Sequence, residues 1–128
     1  MVNFILTEPV YGFEIHCYVG DQQACFKHAS KKFSIDFEYH CDSAGKVVPL
    51  ADKNNSLTAV ILWVESLKYT PTSMAYLAHE ALHVTQEVMV ALGIPVHTGE
   101  APAYYMDYIV ENFISTYRQL STKKGKKR

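Results

Sequence analysis

His79-Glu80-Ala81-Leu82-His83 places side chains suited to metal chemistry at a helical spacing. Residues four apart lie about 40° apart around an α-helix, so both imidazoles point the same way and can grip one tetrahedral cation. Glu80 stands about 100° from His79, outside the ligand pair but beside the open coordination position, where a general base belongs. From this chain's own His and Glu content, roughly 0.02 such patterns arise by chance. The pattern therefore points to zinc held by His79 and His83, with Glu80 as the catalytic base.

Zinc bound by two histidines needs a third protein ligand and a position left for water. Two residues downstream are candidates, His97 and Glu100. A turn between Gly93 and Pro95 would fold the segment containing Glu100 back against the motif helix, which favours Glu100. Tyr104, one turn after Glu100, either presents its phenol to the cleft as a catalytic group or packs as an ordinary tyrosine. Asp107 and Glu87 are candidates to hold the outer nitrogen of a ligand histidine.

The elements that must position these residues are legible in part. Thr70 predicts an N-cap, Pro71 suits the first helical position, and Gly93 with Pro95 ends the helix. Around this helix Met74, Leu77, Ala81, Val84, Val88 and Leu92 form an apolar stripe, with His79, His83, Gln86 and Glu87 on the opposite side. No Lys or Arg falls between Pro71 and Leu92, so the polar face is one of His, Glu, Gln and Tyr. A second helix starts between Thr98 and Pro102 and runs towards Leu120, with Met106, Ile109, Val110, Phe113 and Tyr117 at helical spacing.

Upstream, Phe13, Ile15, Cys17 and Val19 alternate with polar residues as a half-buried strand does. From Asp21 an N-cap and a basic end at Lys31 and Lys32 fit a short helix, with a hairpin strand as the alternative. Phe33, Ile35, Phe37 and Tyr39 predict a second strand, and Val47 to Leu50 a short edge strand, because Pro49 is poorly tolerated inside a sheet. Thr58 to Val64 is apolar at both parities, so it belongs in the middle of a sheet or between two covering layers. The fold class is α+β: an N-terminal antiparallel or mixed sheet, with two C-terminal helices packed on one side.

The 128 residues are 48% hydrophobic and 20% charged, enough for one core and one domain, assigned to residues 1–122. No apolar run approaches the roughly 20 residues of a membrane helix, and Met1 to Pro9 lacks a signal-peptide pattern. Cys17, Cys25 and Cys41 form neither a paired framework nor a C-x-x-C motif. Together these predict reduced thiols and a cytoplasmic protein with no membrane partner. Five of the twelve Lys and Arg residues crowd the last six positions, so the remaining seven face thirteen carboxylates. Residues 123–128 read as a basic tail, a solubilising end with at most a weak contact to nucleic acid.

The His79 to His83 motif, followed 17 residues after His83 by Gly99-Glu100-Ala101-Pro102-Ala103-Tyr104, resembles the gluzincin branch of the zincin metallopeptidases in miniature form. It is also similar to small phage-encoded proteins that combine a Trp-containing apolar strand, His-Glu-x-x-His and a Glu-Ala-x-Ala-Tyr-like segment. The resemblance covers about Val60 to Phe113. It implies a zincin-like domain, zinc as cofactor, His79, His83 and Glu100 as ligands, Glu80 as general base, and a peptide or protein substrate. Such enzymes often place an aspartate four residues after the ligand glutamate, where this chain has Tyr104. No histidine follows Glu100 to stabilise an oxyanion, which leaves a zinc-binding structural or interaction protein as the alternative.

Overall fold

The computed structural model describes residues 1–37, 43–97 and 99–126. Strands β1 (Val2–Thr7) and β2 (Glu14–Val19) precede helix α1 (Gln22–Phe33). Strands β3 (Gly45–Ala51) and β4 (Leu57–Val64) and helices α2 (Pro71–Leu92) and α3 (Glu100–Lys126) follow. The α+β class and the mixed sheet are as the sequence predicts. The sheet runs β1-β2-β4-β3, with β2 and β4 parallel and the two outer strands antiparallel to their neighbours.

The doubly apolar run occupies an inner position because it has two layers to cover it. Val60, Leu62 and Val64 face α2 and α3 together with Ile15, Cys17 and Val19 of β2. Ala59, Ile61 and Trp63 face the other way, onto Cys25, Phe26 and Ala29 of α1. Each fully buried Val, Leu or Ile contributes about 1.5–3 kcal/mol relative to an exposed one, so neither face can be given up. Trp63 donates its indole N–H to the Gly20 carbonyl at 2.8 Å, which satisfies the polar atom its burial would otherwise strand.

The two C-terminal helices α2 and α3 pack on one side as expected, and the short helix α1 covers the opposite face. That cover explains His16 and Tyr18, which alternation assigns to solvent and which are buried beneath α1. Tyr18 Oη meets His28 Nδ1 at 2.9 Å, and the His16 ring stands edge-on to Phe33 at 4.8 Å. Burial, reinforced by the Lys32 charge and opposed by Glu14, pushes the His16 imidazole down from its ordinary value.

The strand predicted from Phe33 onwards is not formed across the described residues. Phe33 is the last residue of α1, Ser34 closes the helix in the left-handed conformation, and Ile35 to Phe37 have no regular structure. Tyr39 lies outside the described residues. The helix wins because Cys25, Phe26 and Ala29 recur at helical spacing and Asp21 accepts the Ala24 N–H at 3.0 Å as its cap. Phe37 then packs on Phe26, with ring centroids 5.9 Å apart.

β3 is the edge strand expected around Pro49, and residues 52–55 form the turn into β4, with the Asp52 carboxylate accepting from Asn54 N–H and Ser56 N–H. β1 has no counterpart in the sequence reading, although Val2, Phe4 and Leu6 pack on the α2–α3 side. α3 continues to Lys126, so its backbone runs into the stretch assigned to a basic tail. No helix among the described residues is long and apolar enough to cross a membrane. Cys17 and Cys25 are buried free thiols, and Cys41 lies outside the described residues.

Candidate metal centre

α2 is the platform, and its ends form as the sequence dictates. Thr70 accepts the Ser73 N–H at 3.3 Å, Pro71 occupies the first turn, and Gly93 closes the helix at φ 72° with its N–H reaching Met89 and Val90 carbonyls. The left-handed closure is open to glycine at little steric cost. Leu77, Ala81, Val84 and Val88 are fully buried, Met74 is partly buried, and Leu92 is half-exposed. Burying that stripe turns His79 and His83 outwards, towards a cleft bordered by β3.

The two imidazoles converge. His79 Nε2 and His83 Nε2 lie 3.2 Å apart, with ring centroids separated by 4.8 Å. Two nitrogens on one tetrahedral zinc, each about 2.0–2.1 Å from it, stand about 3.3 Å apart, so the pair has the spacing of a shared cation. His83 Nδ1 meets Gln86 Oε1 at 3.2 Å, a contact that orients the ring with Nε2 towards His79.

Glu80 completes a compact group. Its Oε1 lies 3.9 Å from His79 Nε2, and the ligand atoms of His79, Glu80 and His83 all fall within 4.8 Å of one another. The histidines are exposed, whereas Glu80 is 7% exposed and its Oε2 is buried without a hydrogen-bond partner. Burial raises the Glu80 carboxyl above its ordinary value, and the neighbouring imidazoles of His79 and His83 pull against that rise. A desolvated carboxylate with a free oxygen is a stronger proton acceptor than a solvated one.

The burial of Glu80 depends on a glycine outside the motif, one whose residue type signals a turn and which instead opens β3. A Cβ at Gly45, the first residue of β3, would lie 2.8 Å from Glu80 Cγ and 3.0 Å from the Trp63 carbonyl oxygen. Only glycine lets the edge strand approach the carboxylate this closely. Gly45→Ala is expected to cost about 1–3 kcal/mol of stability through overpacking. It should also displace Glu80 while leaving both histidines in place. Thermal melting read beside zinc retention checks this, with lower stability and undiminished zinc as the expected pair.

The cleft of about 340 Å³ is lined by His79, Glu80, His83 and Glu87 from α2, by Gly45 and Lys46 from β3 and by Ser43 just before that strand. Lys46 is the cation that α2 lacks. Its contribution was invisible in sequence because no spacing rule links positions 46 and 80.

The other predicted residues are placed elsewhere. Gly45 pairs with Val64, whereas Glu14, at the far end of β2, pairs with Ala59 and Thr7. The ends of the sheet marked by Val19 and Glu14 are about 17 Å apart at the usual rise per residue. The early turns of α3 pack at the Glu14 end: Tyr105 stacks near Tyr11, and Tyr108 donates its hydroxyl to the Thr7 carbonyl at 3.3 Å. Glu100 opens that helix, is exposed, and stands outside the His79–Glu80–His83 group. The turn at Gly93 folds α3 back against α2 as anticipated, and Glu100 is not among the residues whose candidate ligand atoms gather within 4.8 Å of one another. Tyr104 lines a separate cavity. His97 is an exposed turn residue, and Asp107 is exposed on α3.

Comparison with protein-family models, with curated proteins and with solved structures returned no match.

Proposed function

We propose that this protein is a zinc-dependent hydrolase acting on peptide amides, with His79 and His83 holding the metal and Glu80 acting as general base. The observation that carries this reading is the coupling of two convergent Nε2 atoms to a buried carboxylate oxygen that lacks a partner. Zinc bound there would act as a Lewis acid and favour ionisation of water near neutral pH.

The chain's own residues supply the rest. Glu80 accepts a proton from the attacking water and hands it to the leaving amine, a role matched to a carboxyl raised by desolvation. Lys46 borders the same cleft and brings a positive charge towards the carbonyl oxygen as it becomes negative, the task for which no downstream histidine is available. β4 is enclosed on both sides, so the sheet edge that an extended peptide would pair with is β3. In this reading the protein is cytoplasmic, as the free thiols of Cys17 and Cys25 favour.

One observation favours a second reading. Glu80 lies as close to the histidines as a ligand would, and among the described residues it is the one carboxylate grouped with them. In a metal-holding scaffold without turnover, Glu80 would complete the ligand set itself. Cleavage of a diverse peptide library by zinc-loaded protein, abolished by chelation and restored by zinc, tests the hydrolase. A zinc-replete protein that cleaves nothing leaves the scaffold.

A further inference from the structure

A second cavity, of about 230 Å³, lies between the β1–β2 turn and the early turns of α3. Its walls carry four tyrosines, Tyr11, Tyr104, Tyr105 and Tyr108, together with Glu8 and Ala101. We propose that this cavity binds a trimethylammonium group, enclosed by the tyrosine rings and attracted by the Glu8 carboxylate. The site is independent of the metal centre and lies at the other end of the sheet from it.

The turn is built around Glu8. This carboxylate is 1% exposed and accepts backbone N–H groups from Val10 at 2.9 Å, from Tyr11 at 2.9 and 3.1 Å and from Phe13 at 3.0 Å. Those bonds fix Tyr11 against α3, where its ring lies 6.1 Å from that of Tyr105 at an interplanar angle of 32°. Tyr108 is tethered by its hydroxyl to Thr7, so three of the four rings are held before any ligand arrives. Preorganised walls of this kind reduce the ordering cost of binding.

The charge of the site selects the ligand class. Among the described residues no Lys, Arg or His lines the cavity, so an anion finds no cationic partner among them. Burial raises the phenols of Tyr105 and Tyr108, and the Glu8 charge raises them further, so the field of that carboxylate reaches both rings. Negative ring faces beside a negative carboxylate attract a cation that sheds water readily. A methylated ammonium does so, whereas a primary ammonium is strongly hydrated. At 230 Å³ the cavity is smaller than the roughly 300–1,000 Å³ typical of larger ligands, which restricts the occupant to a compact group.

Trimethylammonium occurs both in free choline and on trimethylated lysine. Calorimetric titration of the full chain with choline, and separately with a short peptide carrying trimethyl-lysine, distinguishes the two sources. Each is compared with its uncharged tert-butyl counterpart. At least one cation is expected to bind about tenfold more tightly than its neutral counterpart. Tyr104 is 67% exposed, so Tyr104→Leu leaves the core intact. That change should weaken binding of the cation several-fold, while Tyr104→Phe retains it because the ring and not the hydroxyl is used. The proposal is overturned by equal or tighter binding of the neutral counterparts, by unchanged affinity in Tyr104→Leu, or by no saturable binding of either cation up to about 10 mM.

Discussion

Replacing Glu80 with Gln is expected to lower peptide hydrolysis by roughly 10² or more while zinc content and fold survive. The amide keeps the shape of the carboxylate and still fits under Gly45, whose approach leaves no room for a larger group. It cannot accept the proton of the attacking water. Glu80 is buried and its Oε2 has no partner, so the substitution also removes a charge the interior disfavours, and thermal stability should not fall. Activity and zinc content measured on the same preparation decide between the two readings. Loss of zinc in the variant would make Glu80 a ligand, as the scaffold requires, and hydrolysis equal to that of the wild type would remove it from the chemistry altogether.

The second large effect is on metal retention. Protein purified without added zinc is expected to hold one zinc per chain, and His83→Ala should weaken that binding by roughly 10² or more. Outer-contact changes cost 10–100-fold, and removal of a direct ligand exceeds them. Gln86 touches the outer nitrogen of His83, so Gln86→Ala should fall within that smaller range. Glu100→Ala supplies the decisive contrast. Glu100 sits apart from the histidine pair in this fold, and zinc retention should therefore be unchanged. Metal analysis after dialysis against a competing chelator measures all three variants. A loss in Glu100→Ala as large as that in His83→Ala would place Glu100 on the metal and require α3 to move.

The spacing of His79 and His83 was sufficient to predict their convergence, because a four-residue separation fixes direction around any α-helix. The ends of α2 were equally local: Thr70, Pro71 and Gly93 act on the backbone within one turn of themselves. Likewise, the two-sided apolar run from Thr58 to Val64 required cover on both faces wherever it was placed. Signals that compete within a few residues were less decisive. Phe33, Ile35 and Phe37 alternate like a strand, yet the capped helix from Asp21 absorbed Phe33 because its buried face was already defined by Cys25, Phe26 and Ala29.

What the sequence determined by itself was the convergent histidine pair, the helix that carries it and the α+β class, each set by short-range periodicity. What only the tertiary structure decided was the company those residues keep. The approach of Gly45 and Lys46 to the motif, the burial of Glu80, the placement of α1 over the opposite face of the sheet and the separation of Glu100 from the histidines all depend on which strands pair. Strand order joins positions distant in the chain, and side chains brought together across a sheet leave no periodic trace in either segment.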